Sequence, residues 1–277
     1  MHSDYALLDS GSGRKLERFG PYVIARPCAQ AVWLPSLSLE EWNKADAQFT
    51  REPDNRWLKK QGLKEFWTVE IAGVRFKLSP TDFGHLGIFP EQQPFWEWIS
   101  KIAAPEMKVL NLFAYSGGST LAAAKGGAQV CHLDASKGMV AWARENAALS
   151  GLEQAPIRWI TDDVNKFLIR EIKRNSRYEG IILDPPSFGR GSHGEVFKIE
   201  EEINQLLKTC RELLSDRPKF ILFSCHTPGF TPIAMQHLLT QALKGLSGKI
   251  DSGEMMLGGG KGVLPVPSGT FARWQHE

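Results

Sequence analysis

Apolar positions change their rhythm once along this chain, near residue 108. After it, short continuous apolar runs alternate with stretches of helical periodicity, the pattern of a parallel sheet covered on both faces. Strands are predicted at 109–113, 129–133, 157–160, 179–184 and 220–224. Helices are expected between them at about 118–125, 136–149, from 162 through Phe167, Leu168 and Ile172, at 199–214, and at 231–246. Gly126-Gly127 and Gly151 supply stops, and Ser136 is a good N-cap. Two further strands, near 249–257 and 269–274, fit an antiparallel edge. The fold class is α/β, a doubly wound, mostly parallel sheet with an antiparallel edge hairpin.

Before residue 108 the pattern is that of a small β-rich domain. The first 35 or so residues read as irregular or hairpin-like, with one short strand candidate at Tyr22-Val23-Ile24-Ala25. Ser38 and Glu41 have the spacing of a capping box, which predicts a helix over 38–47. Residues 69–78 alternate around a glycine turn and predict a hairpin. A helix beginning near Glu91 leads into the larger part. The expected division is 1–100 for a small domain that serves substrate recognition and 101–277 for the domain that carries the chemistry.

In open α/β sheets ligands bind just past the carboxyl ends of the strands. The residues there are 114–118, Asp134, Asp162 and Asp163, Asp184-Pro185-Pro186-Ser187-Phe188, and Ser224-Cys225-His226. Ser116-Gly117-Gly118 lets backbone approach a ligand closely. Asp134, at the end of the second strand, stands where a carboxylate accepts hydrogen bonds from both hydroxyls of a ribose. Asp163 either accepts from an adenine amino group or caps a helix, with Asp162 as a second candidate. The two prolines hold the Asp184 carboxylate towards the cleft, and Phe188 offers a ring for stacking on a base. Neither the dinucleotide G-x-G-x-x-G nor the phosphate-loop G-x-x-x-x-G-K-[ST] pattern occurs.

Composition adds little to this picture. The 277 residues are 42% hydrophobic and 23% charged, with a formal net charge of +2, which permits a nucleic-acid partner without demanding one. Four scattered cysteines without a C-x-x-C pair argue against disulfides and structural zinc. The N-terminus shows no signal peptide and no apolar run is long enough for a bilayer, so a cytoplasmic enzyme without metal or membrane partner is expected. Basic and aromatic residues interleave from Arg51 to Trp67, either as an RNA-contacting surface or as a loop pinned by its tryptophans.

Four segments in order carry a resemblance to a known family: Asn111-Leu-Phe-Ala-Tyr-Ser-Gly-Gly118, Val130-Cys-His-Leu-Asp134, Asp162-Asp-Val164 and Asp184-Pro-Pro-Ser-Phe188. They resemble the class I S-adenosylmethionine-dependent methyltransferases, and within them the bacterial 23S ribosomal RNA methyltransferases acting on carbon 5 of cytosine or nitrogen 7 of guanine. Gly87-Ile-Phe-Pro-Glu-Gln92 is similar to the segment that precedes their catalytic domain. The first sixty residues do not resemble the PUA domain that many members carry. The resemblance implies a Rossmann-like methyltransferase sheet, S-adenosylmethionine as cofactor, S-adenosylhomocysteine as product, and ribosomal RNA as partner. It implies a cofactor set of Asn111, Phe113, Ala114, Tyr115, Ser116, Gly117, Asp134, Ala135, Asp162, Asp163, Asp184 and Pro185. Within that set, Ala114, Tyr115 and Gly117 cradle the methionine part.

The implied catalytic set is Asp184, Phe188 and Cys225. A thiolate at Cys225 would activate carbon 5 of cytosine by adding at carbon 6; the bland reading makes it a small buried hydrophobe. A methyltransferase of protein or small molecules, and a non-catalytic RNA-binding factor with this fold, are the alternatives.

Overall fold

The computed structural model describes residues 3–52, 54–190 and 194–276, and the chain forms two compact units, Met1–Pro94 with Met256–Ser268 and Phe95–Met255 with Gly269–Glu277.

In the first unit, β1 (Tyr5–Gly11), β2 (Arg14–Phe19), β3 (Tyr22–Pro27), β4 (Ala47–Thr50) and β5 (Arg56–Lys59) make one sheet in that order. All neighbours are antiparallel except β3 and β4, which run parallel and are joined through the short helix α1 (Leu39–Trp42). The strand candidate at 22–25 lies within β3, and the region expected to be irregular or hairpin-like is thus a three-stranded meander. Its signal was hidden because β2 turns a charged residue inward: Glu17 is fully buried, and Arg26 of β3 donates to it from Nε at 2.9 Å. Lys15 lies 3.2 Å from the same carboxylate. Burial pushes the Glu17 carboxyl up, but Arg26 and Lys15 outweigh it and hold the group below its usual range.

The capping box forms as its spacing predicts, with the Ser38 hydroxyl accepting from Glu41 N and Glu41 reaching back to Ser38 N, although the helix stops at Trp42. β6 (Trp67–Ile71) and β7 (Val74–Leu78) form the expected hairpin, closed by Ala72 and Gly73 at φ 53° and 70°, the double positive φ of a tight two-residue turn. A 3₁₀ turn at Pro90–Gln92 leads into α2 (Gln93–Ile102).

The second unit alternates strand and helix: β8 (Lys108–Leu112), α3 (Gly118–Lys125), β9 (Gln129–Asp134), α4 (Lys137–Leu149), β10 (Ile157–Thr161), α5 (Val164–Lys173) and β11 (Gly180–Leu183). After β11 come β12 (Phe188–Arg190), β13 (Val196–Lys198), α6 (Ile199–Leu213), β14 (Phe220–Cys225), α7 (Pro232–Ala242), β15 (Lys249–Leu257) and β16 (Val266–Gln275). The sheet order is β10-β9-β8-β11-β14-β16-β15, parallel through β14 and antiparallel from β14 to β16. β11 and β14 are buried along their whole length, which is why they read as unbroken apolar runs. Leu112, Leu133, Leu183 and Phe223 of the sheet pack with Phe167, Leu206 and Leu239 of the helices.

Strand order reverses between β8 and β11, so the cleft at their carboxyl ends is the topological switch point. One element departs from expectation here. The segment after Asp184 is a small antiparallel hairpin pairing Phe188 with Lys198 and Gly189 with Phe197, rather than a plain loop. Residues 191–193 of that expected loop lie outside the described residues. Among the described residues, no helix is long and apolar enough to cross a membrane.

Candidate functional site

The loop leaving β8 is unusual in its backbone. Phe113 and Tyr115, neither of them glycine, have φ of 56° and 49°, and Gly117 follows at 92°. Non-glycine residues in the left-handed region cost about 1 kcal/mol or more each and cluster where a backbone is shaped for a ligand. What holds this loop is visible around it. Asp134 at the end of β9 accepts from Tyr115 N through Oδ2 at 2.9 Å and from Ser136 N through Oδ1 at 2.8 Å. Asn146 of α4, fully buried, donates to the Ser116 carbonyl at 2.9 Å.

The two glycines serve different purposes. A Cβ on Gly117 would sit 3.0 Å from Cβ of Ala143 and would strain a positive φ; a Cβ on Gly118 would strike the Trp96 ring at 2.5 Å. Gly117 therefore shapes the turn, and Gly118 lets α3 pack on α2. Burial raises the Asp134 carboxyl above its ordinary range, opposed by the N–H groups of Ser136 and Tyr115. Those two bonds leave lone pairs on both oxygens for further donors. Ala135 is half-buried between Asp134 and the N-cap Ser136.

Asn111 belongs to an interior network. It is buried, its Nδ2 donates to Thr120 Oγ1 at 2.8 Å, and that hydroxyl lies 2.9 Å from Nδ1 of His132. Burial, then Arg144, push the His132 imidazole down to about 3, so it is neutral at physiological pH, and its tautomer sets which of Nδ1 and the Thr120 hydroxyl donates. Phe113 packs its ring on Phe197 of β13 at 5.0 Å.

At the end of β10, Asp163 is the N-cap of α5, its Oδ1 accepting from Lys166 N at 3.0 Å. Asp162 accepts from Asp163 N at 2.9 Å and forms an ion pair with Arg170. Both acids are half-buried, and the capping role the sequence left open is filled.

Past β11 and β14 two loops face each other. The carboxylate of Asp184 has Oδ1 3.5 Å from Nδ1 of His226. Ser187 Oγ and Thr227 Oγ1 are 2.7 Å apart, pinning one loop to the other. Pro185 is buried and Phe188 is 50% exposed. Cys225 is 1% exposed, and its sulfur accepts from Thr227 N at 3.4 Å. Burial pushes its thiol up, with Thr227 acting in the opposite direction.

The structure thus brings Asp184, His226, Cys225, Ser187 and Thr227 together at two strand ends. Asn146 and Thr120 were not among the residues nominated from sequence, and His226 was placed past its strand without a role. His226 carried a usable signal, a histidine just past a buried strand; the other two sit in helices and show nothing in sequence to mark them.

A doubly wound sheet of this order, with a strained glycine turn after β8 and an acid at the end of β9, defines an α/β protein of the nucleotide-cofactor-binding class. Residues 23–242 match the model of the S-adenosylmethionine-dependent methyltransferase family, and the chain belongs to that family. It is 33% identical over 161 residues to the ribosomal RNA large subunit methyltransferase K/L of Hahella chejuensis, covering 57% of this chain and 22% of that protein. The protein of the same name from Pseudomonas paraeruginosa is 34% identical over 145 residues, 52% of this chain and 19% of that one. The chain spans about a fifth of the length of these curated relatives. Among solved structures, a SAM-dependent methyltransferase from Agrobacterium tumefaciens superposes with TM-score 0.95 at 41% identity, covering 100% of this chain and 91% of that one. A methyltransferase complexed with SAH shares the fold at TM-score 0.78 and 20% identity, covering 98% and 75%.

Proposed function

We propose that the chain transfers the methyl group of S-adenosylmethionine to a base of RNA, and that this RNA is ribosomal. The observation that carries the substrate class is the likeness to relatives named for the large ribosomal RNA. In support of it, Phe188 stands half exposed four residues past Asp184, a flat ring that suits a base splayed out of its stack.

The residues fit the cofactor. The carboxylate of Asp134, with lone pairs to spare, would take the ribose hydroxyls, and Ala114, Tyr115 and Gly117 on the strained turn would hold the methionine part. Asp163 would meet the adenine amino group while capping α5. The bound cofactor supplies a methyl group on a positively charged sulfur. The protein's task is to bring the accepting atom into line with it and to exclude water, which is catalysis by positioning.

Of the two readings of Cys225, its burial and raised thiol favour the small structural hydrophobe. Asp184 and Phe188 would then hold the base for direct transfer, without a covalent adduct.

Calorimetry should show S-adenosylmethionine binding to the full chain, and no binding at millimolar cofactor would sink the reading. Labelled methyl groups should enter ribosomal RNA from a strain lacking this protein, and not a protein fraction. Phe188→Ala should raise KM for RNA roughly 5- to 150-fold, the worth of one stacked base, with cofactor affinity unchanged.

A further inference from the structure

The imidazole of His226 is placed where a thiol was expected to act. Cys225 is 1% exposed at the end of β14, whereas the next side chain, His226, is 36% exposed and faces Asp184. Three features make this a built arrangement. Nδ1 of the imidazole lies 3.5 Å from Oδ1 of Asp184, which follows β11, an electrostatic contact rather than a formed hydrogen bond. The Ser187–Thr227 contact at 2.7 Å pins together the two loops that carry the pair. Gly269 of β16 lies against the same corner: a Cβ there would lie 2.5 Å from the Met255 methyl, 2.9 Å from the Cys225 carbonyl and 3.0 Å from Cδ2 of His226.

A carboxylate beside Nδ1 favours the neutral tautomer with its proton on Nδ1, and leaves the Nε2 lone pair as an acceptor. The same carboxylate stabilises the imidazolium once Nε2 has taken a proton. Resting on the methyltransferase reading above, we propose that His226, held by Asp184, is the proton acceptor of the reaction, and that the methylated atom is a nitrogen bearing hydrogen: an exocyclic amino group or a ring N–H of a base.

The chemistry balances. As the nitrogen–methyl bond forms from the nitrogen lone pair, the methyl–sulfur bond breaks and its electron pair stays on sulfur, leaving a neutral thioether. An exocyclic amino nitrogen then holds the excess positive charge until its proton passes to Nε2 of His226 and on to solvent; a ring N–H, whose lone pair lies in the ring π system, gives its proton to Nε2 as the new bond forms. A nitrogen that offers only a lone pair, such as nitrogen 7 of guanine, has no proton to give, and a base beside it would have no task. Carbon 5 of cytosine does release a proton, but it needs a thiolate first, and the Cys225 sulfur is buried against Thr227 N.

The test compares wild type with His226→Ala and His226→Gln on RNA from a strain lacking the protein, followed by nuclease digestion and mass spectrometry of the nucleosides. The variants should lose about 10²–10⁴-fold in kcat, the usual worth of a general base. Cofactor affinity should stay within about threefold of wild type, and imidazole added to His226→Ala should restore part of the rate. The product should be a neutral nucleoside methylated on a nitrogen that carried hydrogen. A kcat within about threefold of wild type, or a product that is 7-methylguanosine or 5-methylcytidine, overturns the proposal.

If label enters protein or small molecules, the RNA reading fails, and the pair is judged by whether that acceptor atom carried hydrogen. Should no fraction be labelled, nitrogen NMR of the imidazoles decides without any acceptor. With the His226 ring neutral, the proton is expected on Nδ1, and that preference should vanish in Asp184→Asn; a proton on Nε2 overturns the proposal.

Discussion

Glu171 shows how a single side chain can carry charge through the interior. It is fully buried in α5, yet it accepts from Tyr178 Oη at 2.6 Å, from Arg158 of β10 at 3.0 Å, and from Arg174 at 3.0 Å. Burial pushes its carboxyl up, but the Tyr178 hydroxyl and its other donors prevail and hold it at about 2. Its folded pKa lies below the unfolded value near 4.3, so its stabilisation is complete above that range and drains away as pH falls from about 4.5 through about 2. Denaturant midpoints should therefore fall across that window in wild type and fall less steeply in Glu171→Gln. At neutral pH the variant should be less stable by roughly 1.5–3 kcal/mol, the worth of hydrogen bonds to a charged group. A flat midpoint in wild type across that window would contradict this account. The same scale explains why Glu17 misled: a buried charge reads as surface until its partner, Arg26 on the next strand, is known.

Elements were legible where one local rule sufficed. The span of α3, the Ser136 cap, the Ser38 capping box and the apolar runs of β11 and β14 all follow from neighbours within a few residues. The β12–β13 hairpin was not legible, because its strands have only three residues each and owe their place partly to α5, where Lys166 pairs with Glu195. The start of α5 is the element where two roles meet. Asp163→Ala should cost about 0.5–2 kcal/mol through loss of the cap, and Asp163→Ser, which can still cap, should restore most of it. If the carboxylate also meets the adenine amino group, calorimetry will show weakened cofactor binding in both variants. Full affinity in the Ser variant would leave Asp163 with capping alone.

At the scale of the molecule, the chain does not divide at one point. It leaves the second unit after Met255, contributes Met256–Ser268 to the first, and returns at Gly269. Leu257 and Val266 of that excursion are buried in a cluster with Leu7, Cys28 and Ala31. A fragment of residues 95–277 would expose them, so it should unfold at lower temperature than the full chain and bind apolar dyes. Replacing 256–268 by a short polar linker in the fragment should remove the dye binding. A fragment as stable as the full chain would mean that the excursion contributes nothing to the fold.

What the sequence determined by itself was the alternation of strands and helices after residue 108 and the residues at the ends of those strands. Periodicity, capping and turn residues act over one or two turns of chain, and those are the distances over which sequence speaks directly. The tertiary structure decided which of those residues meet. Cys225 and His226 are adjacent in sequence, and nothing local told which one faces Asp184. The pairing of β14 with β11 on one side and β16 on the other buries the sulfur and leaves the imidazole beside the carboxylate. Gly117 and Gly118 looked alike until Ala143 and Trp96, remote in the chain, gave each its own reason. Burial and pairing are set by segments distant in sequence, so the chemistry of the cleft is a property of the closed fold.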